Sequence, residues 1–197
     1  PRDLQDVFTE SWLREINQPV PVLFDDGQDA ESLQTTGQGL LAKFHELAPR
    51  PYEVLAVEER FSVDLFDADT GEILPEHLAG VFDAVVQDEN GRLHVIEHKT
   101  AARKWSEDRL ANDLQITAYH FAAAGLGHRD AQVDIQVLLK QKTPALAVYS
   151  PSRSARDHLD FLSVATGVVK AIAAGVDYPV RDWHCRSCPY AAHCLVG

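Results

Sequence analysis

The chain has 197 residues, 45% of them hydrophobic and 24% charged, which is enough for one hydrophobic core and too few for two comfortable ones. No apolar run approaches the roughly 20 residues that a membrane-spanning helix needs, so no membrane association is expected. The formal net charge of −12 argues against indiscriminate nucleic-acid binding, because phosphate contacts draw on lysine and arginine. It is compatible with an acidic cleft that binds cations.

Helix and strand patterns alternate along the chain. Apolar residues at helical spacing mark the helices, and runs of β-branched and aromatic residues bounded by turn residues mark the strands. Ser154 opens the last helix with a capping-box pattern. In chain order the predictions are a helix over 1–16, a helix over 29–47, strands over 52–66, 80–87 and 92–98, a helix opened by Ser106 and stopped by Gly125, strands over 133–139 and 145–149, and a helix from Ser154 to about Ala174.

This alternation predicts one mixed α/β domain over residues 1–180 and a Cys-rich appendage over 181–197. The helix that Ser106 opens is expected to bury Leu110, Leu114 and Phe121. The sequence starts at Pro1 and contains no methionine, so we expect that it lacks an N-terminal segment of the domain.

Two carboxylates flank the predicted hairpin at equal distances. Asp83 and Glu97 are each seven residues from Asn90, and Asn90-Gly91 between apolar runs is a strong hairpin signal. A turn centred there places the two residues opposite each other, although the loop length could shift the register by one. Lys99 is two residues beyond Glu97 and therefore shares its face of the sheet.

Close carboxylates repel each other unless a cation lies between them, and oxygen ligands suit Mg²⁺ or Mn²⁺. Such a cation activates water for phosphodiester hydrolysis, and Lys99 could orient that water or offset charge on the phosphate. Glu58 in the preceding strand could add an outer ligand. The alternative is a merely solvated hairpin face, but Val95 and Ile96 indicate a central strand, where ionisable groups need a reason.

Three motifs in order resemble those of the RecB-type PD-(D/E)xK nucleases. They are Gly80-Val81-Phe82-Asp83, Glu97-His98-Lys99-Thr100 and Gln115-Ile116-Thr117-Ala118-Tyr119, which match G-x-x-D, (D/E)-x-K-T and Q-x-x-x-Y.

This resemblance implies a restriction-endonuclease-like core, with a central mixed sheet flanked by helices. It further implies that Asp83, Glu97 and the His98 main-chain carbonyl bind the metal and that Lys99 is catalytic. Glu58, or alternatively Glu59, stands where the family carries a glutamate. The family's metal-binding histidine on an early helix has no match, since none of His45, His77 and His94 fits its G-x-x-x-H motif.

Gln115 and Tyr119 are four residues apart, so a helix presents both on one face. The resemblance implies that they contribute to the DNA side of the site, whereas the pair alone would indicate ordinary packing. A basic stretch, Arg103, Lys104 and Arg109, could hold phosphates or could be a solvated loop.

All three cysteines, Cys185, Cys188 and Cys194, lie near the end of the sequence. This cluster is a poor disulfide framework and a good metal-ligand set, and the reducing cytoplasm is the expected compartment. The spacing resembles part of the [4Fe-4S] motif in the AddB and CRISPR-adaptation branches of the superfamily, but a fourth cysteine is missing. A Zn²⁺ site completed by His184 or His193, and unliganded thiols, are the alternatives.

The sequence therefore predicts a Mg²⁺- or Mn²⁺-dependent deoxyribonuclease, an exonuclease on single-stranded or frayed DNA ends in repair, recombination or related DNA processing. A helicase or recombination protein is the expected partner. Two alternatives stay open: a non-catalytic DNA-end-binding scaffold that retains the fold, and a zinc-binding interaction module.

Overall fold

The computed structural model describes residues 2–20, 22–24, 27–48, 52–176, 178–182, 185–186 and 188–194. Within these ranges, no helix is long and apolar enough to cross a lipid bilayer. The helices are α1 (Arg2–Ile16), α2 (Ala30–Leu47), α3 (Glu107–Asn112), α4 (Leu114–Gly125), α5 (Ala155–Ala173) and α6 (Ala191–Cys194), and the strands are β1 (Tyr52–Phe66), β2 (Ile73–Asp88), β3 (Leu93–Ala101), β4 (Gln132–Leu139) and β5 (Ala145–Tyr149).

The described strands form one five-stranded mixed sheet in the order β1-β2-β3-β4-β5. β1, β2 and β3 are an antiparallel meander. β3 and β4 are parallel, because α3 and α4 carry the chain back across the sheet between them. β5 then returns antiparallel to β4 at the edge.

Helices cover both faces of this sheet. α4 buries Ile116, Tyr119 and Ala122 against strand residues such as Val133 and Ile135, which forms the main core. α5 packs on α4 and β1, and α2 packs on β4 and β5, with α1 outside it. The predicted central mixed sheet flanked by helices is therefore confirmed.

Most predicted elements agree with the structure, including the bounds of β1 and the Ser154 capping box with Asp157. The prediction of one continuous helix between Ser106 and Gly125 was wrong. Asp113 adopts an extended conformation (φ −72°, ψ 115°) and divides it into α3 and α4. The break turns Leu114 outward, and this residue, predicted to be buried, is 52% exposed.

Candidate active site

The β2–β3 hairpin has the register that the Asn90-centred turn predicts. Val85 pairs with Val95 and Ala84 pairs with Ile96. The same register, extended by one residue, sets Asp83 opposite Glu97. At that point the Asp83 carboxylate accepts a hydrogen bond from the main-chain N–H of His98, with Oδ2 2.7 Å from the nitrogen. Asp83 is thus fixed against the segment of β3 that carries Glu97.

Glu97 is a buried carboxylate with several partners. Its side chain is only 4% exposed. Oε1 pairs with the Lys99 ammonium group and accepts from Gln115 Nε2 at 3.1 Å. Oε2 lies 3.0 Å from the Tyr119 hydroxyl. These contacts offset the cost of removing a charged group from water.

Gln115 and Tyr119 reach Glu97 from the first turns of α4. The Asp113 carboxylate caps this helix by accepting from the main-chain nitrogens of Gln115 (3.0 Å) and Ile116 (3.2 Å). Gln115 Nε2 also donates to the Tyr119 hydroxyl at 3.1 Å, and that hydroxyl is 2.8 Å from the Val81 carbonyl oxygen of β2. The predicted presentation of both side chains on one helix face is thus observed.

The charges of Asp83 and Glu97 both act on two neighbouring side chains, Tyr119 and His98. Burial, followed by the charge of Glu97, raises the pKa of Tyr119 above its ordinary value, and Asp83 adds to the shift. Tyr119 therefore stays protonated and able to donate. Burial lowers the pKa of His98, and the charges of Asp83 and Glu97 both oppose that change.

Gly80, the first residue of the G-x-x-D motif, has a packing role. A Cβ atom built there would lie 2.5 Å from Cζ of Phe61, closer than any real contact. The Phe61 ring in turn stacks on Phe82 with centroids 4.4 Å apart, and Phe82 meets the Tyr119 ring edge-on at 5.0 Å. A side chain at Gly80 would displace the aromatic cluster that supports Asp83 and Tyr119.

The oxygen ligands at this site suit a small hard cation. In the part of the chain that the structure describes, no three His, Cys, Asp or Glu side chains are grouped to hold a metal ion. Mg²⁺ does not require such a group, because it retains several waters and takes one or two carboxylates. Asp83, Glu97 and the His98 carbonyl are thus a chemically adequate set.

Glu58 is exposed and lies on β1, with pairs on either side that match it to Asp83 of β2. Its φ of +51° is in the left-handed region, which is rare for a residue other than glycine. Among the described residues neither Glu58 nor Glu59 completes a three-ligand group with Asp83 and Glu97.

The basic stretch lies between β3 and the first turn of α3. Arg103 and Lys104 are exposed. The Arg109 guanidinium lies 3.6 Å from the centre of the Trp105 ring, a cation–π contact that fixes its position. Arg109 therefore has an aromatic partner, although it is exposed like Arg103 and Lys104.

α2 approaches the site from the opposite face of the sheet. The Phe44 ring meets the His98 ring edge-on, with centroids 5.2 Å apart. His45 follows Phe44 and is partly buried. The sequence motif for a metal-binding histidine does not fit His45, and among the described residues His45 forms no ligand group with Asp83 and Glu97.

The described part of the cysteine tail contains one short α-helix and no disulfide. Cys185 and Cys188 are partly buried, Cys194 is exposed, and all three thiols are free. Cys185 Sγ accepts from the main-chain nitrogen of Asp182 at 3.4 Å. Cys194 ends the single turn α6. His184, one of the predicted zinc ligands, lies outside the described residues, and the described cysteines and His193 form no ligand group.

Comparison with known proteins identifies the family. The model of the PD-(D/E)XK nuclease superfamily matches residues 1–195. Among curated proteins, no relative matches the chain. The central mixed sheet between helices is the restriction-endonuclease-like fold that the sequence predicts.

Two solved structures are similar to the chain at low sequence identity. A candidate exonuclease from Eubacterium rectale has a TM-score of 0.56 and 13% identity, over 96% of this chain and 70% of that one. The protein SSO0001 has a TM-score of 0.48 and 12% identity, over 98% of this chain and 79% of that one. The first of these likenesses supports the fold alone.

Proposed function

Because the chain belongs to the PD-(D/E)XK nuclease superfamily, we propose that it is a metal-dependent deoxyribonuclease of the RecB type, with Asp83, Glu97 and Lys99 at its catalytic centre. The observation that carries this proposal is the buried Glu97 carboxylate, which pairs with Lys99 and lies opposite Asp83 when the β2–β3 register is extended by one pair beyond Ala84 and Ile96. Burying a carboxylate in a central strand costs folding free energy, and such groups are often found at functional sites such as metal sites.

Each side chain has a defined role in phosphodiester hydrolysis. Asp83, Glu97 and the His98 carbonyl would hold Mg²⁺ or Mn²⁺, which when bound polarises the phosphate and lowers the pKa of a water. Lys99 is one-third exposed, so its ammonium group can reach a phosphate oxygen or orient the attacking water.

Gln115 and Tyr119 hold the Glu97 carboxylate in one orientation. The single Tyr119 hydroxyl proton can be donated either to Glu97 of β3 or to the Val81 carbonyl oxygen of β2, so this side chain contacts both strands. Outer partners of this kind orient metal ligands and raise the affinity of a site.

We propose DNA ends, single-stranded or frayed, as the substrate, and exonucleolytic hydrolysis in repair, recombination or related DNA processing. The exonuclease activity in this proposal extends to this chain what the solved structure from Eubacterium rectale is named for. Phosphate contacts draw on lysine and arginine, and we assign them to Arg103, Lys104 and Arg109, which follow Lys99 in the sequence. A cytoplasmic location and a helicase or recombination partner belong to the same proposal.

The direct test is cleavage of end-labelled single- and double-stranded DNA with Mg²⁺ or Mn²⁺, with circular single strands to detect internal cuts. We expect shortening of linear strands, none of circles, and loss of activity with EDTA. Lys99→Ala should lower cleavage about 10²–10³-fold with the fold intact. The matched control is Lys170→Ala, an exposed lysine of α5. Full activity of Lys99→Ala would refute the role of Lys99.

For the tail we propose a separate structural metal site with thiolate ligands. Three cysteines do not suffice for a four-thiolate cluster, so Cys185, Cys188 and Cys194 would need one further ligand, whether for a [4Fe-4S] cluster or for Zn²⁺ with a histidine. Iron, sulfide and zinc analysis together with a visible absorption spectrum separates these alternatives from free thiols. No step of the reaction depends on this site.

A non-catalytic DNA-end-binding scaffold is the second candidate. Its support is that Lys99, Gln115 and Tyr119 already occupy both oxygens of Glu97. A scaffold would bind DNA ends yet show no metal-dependent turnover on any of the substrates above.

A further inference from the structure

Arg153 lies between β5 and α5, well removed in sequence from the three motifs, yet its guanidinium binds the junction of α3 and α4. Nε donates to Thr117 Oγ1 at 2.7 Å. Nη2 donates to the carbonyl oxygens of Leu110 at 2.7 Å and Asp113 at 3.4 Å. One planar group thus contacts the end of α3, the break and the first turn of α4.

One of these contacts satisfies a group that α3 leaves open. The last carbonyls of a helix have no partner within it, and Arg153 binds that of Leu110. Arg153 also shares the Asp113 carbonyl oxygen with the main-chain N–H of Thr117. The carboxylate of the same Asp113 caps the main-chain nitrogens of Gln115 and Ile116. Arg153 therefore holds the residue that sets where α4 begins.

Arg153 is itself fixed on both sides. Two residues before it, the Pro151 carbonyl oxygen lies 2.9 Å from His120 Nε2 of α4. One residue after it, the main-chain nitrogen of Ser154 donates to Asp157 at 2.6 Å in the capping box of α5. The guanidinium can therefore act as a rigid support rather than as a mobile surface charge.

We propose that Arg153 is a positioning residue of the active site, acting through Asp113 and Gln115 on the Glu97 carboxylate. This inference rests on the proposed nuclease function. The path is continuous in hydrogen bonds: Arg153 to the Asp113 carbonyl, the Asp113 carboxylate to the Gln115 main chain, and the Gln115 amide to Glu97 Oε1. A shift of the first turn of α4 would move both Gln115 and Tyr119 away from Glu97.

The substitution Arg153→Met keeps most of the side-chain length and removes the donors. We expect kcat to fall about tenfold, as for outer partners of metal ligands, with KM for DNA changed less than about twofold. Arg153→Lys should behave like Arg153→Met, because an ammonium group cannot reproduce the planar fork. The matched control, Arg156→Met, removes an exposed arginine of α5 that pairs with Asp160, and should leave kcat unchanged.

A double-mutant cycle tests the path. In a Gln115→Ala background, Arg153→Met should lower kcat by a smaller factor than in the wild-type background, since one of the two groups that it positions is gone. Amide hydrogen exchange at Gln115 and Ile116 should accelerate in Arg153→Met and not in Arg156→Met. If Arg153→Met unfolds the protein, Thr117→Val removes the Nε acceptor with the arginine in place and should reproduce a smaller effect.

The proposal is overturned by equal effects of Arg153→Met in both backgrounds, by unchanged exchange at Gln115 and Ile116, or by recovery of activity in Arg153→Lys, which would indicate a charge contact with DNA. Hydrogen exchange needs no turnover. A wild-type protein that fails to cleave DNA therefore refutes the nuclease function, while the exchange data still decide whether Arg153 positions α4.

Discussion

Two buried carboxylates on adjacent parallel strands, Glu97 of β3 and Asp134 of β4, have different surroundings. Glu97 faces α4, and two of its partners reach solvent: Lys99 is one-third exposed and Gln115 is exposed. Either partner can turn away and release a carboxylate oxygen to another ligand. Both oxygens of Glu97 have hydrogen-bond or ion-pair partners, and some of these partners can be replaced by a ligand.

Asp134 lies on the opposite face of the sheet in a closed network and is 2% exposed. Oδ2 is 2.7 Å from His94 Nδ1, and Oδ1 accepts from Gln132 at 2.8 Å and from the Ser150 hydroxyl. His94, also buried, reaches Asp88 through its other nitrogen. A network with this many partners fixes the ends of the strands, so burial of an acid alone does not identify a site.

Glu97 and Asp134 should respond differently to the same carboxylate-to-amide change. Glu97→Gln should lower DNA cleavage about 10²–10³-fold, because the amide cannot hold a divalent cation as a carboxylate does. Stability should change by less than about 1.5 kcal/mol, since Lys99 can turn to solvent. Single-turnover cleavage and urea unfolding measure the two effects. Near wild-type cleavage by Glu97→Gln would place the metal elsewhere.

Asp134→Asn should give the reverse result. Its amide group turns an N–H₂ toward the donors of Gln132, Ser150 or His94, which costs about 1.5–3 kcal/mol of unfolding free energy. Once folded, the variant should cleave DNA at a rate within about twofold of wild type. Asp160→Asn, an exposed residue paired with Arg156, is the control and should change stability by less than about 0.5 kcal/mol. Loss of cleavage without loss of stability in Asp134→Asn would make Asp134 part of the active site.

The hairpin register around Glu97 could be predicted from the sequence, whereas the contacts of Asp134 could not. An Asn90-Gly91 turn and the two-residue period of a strand fix the hairpin register, so Asp83, Glu97 and Lys99 follow from local rules. Asp134 and Ser150 meet only after β4 and β5 pair. No local pattern marks such a contact.

The break at Asp113 is an intermediate case. An aspartate before an apolar run is a common N-cap, so the signal was present, but an aspartate on the exposed side of one long helix looks the same in sequence. Arg153 had no signal at all. Its partners at the break are Thr117, Leu110 and Asp113, which lie 36 to 43 residues earlier, and two of the groups it binds are main-chain carbonyls that any residue supplies.

His120 lies on α4 and contacts the segment after β5. Its protonation should change the free energy of unfolding less than the substitution at Asp134 does. His120 lies beside Tyr119 and binds the Pro151 carbonyl next to Ser150. Burial lowers the pKa of His120 below its ordinary value of 6.5, the positive charges of Arg153 and His158 lower it further, and the Pro151 contact opposes the change.

An unfolded chain therefore takes up this proton at a higher pH than the folded protein does. The contribution of His120 to stability is complete above about pH 6.5 and is lost as the pH falls through its lower pKa in the folded state. His120→Gln keeps an N–H donor and removes the titration. Between about pH 8 and about pH 5, the unfolding free energy of wild type should fall more steeply than that of His120→Gln, as measured by urea unfolding at each pH. If the unfolding free energies of the two proteins fall equally with pH, His120 does not bind the Pro151 carbonyl oxygen as a neutral imidazole.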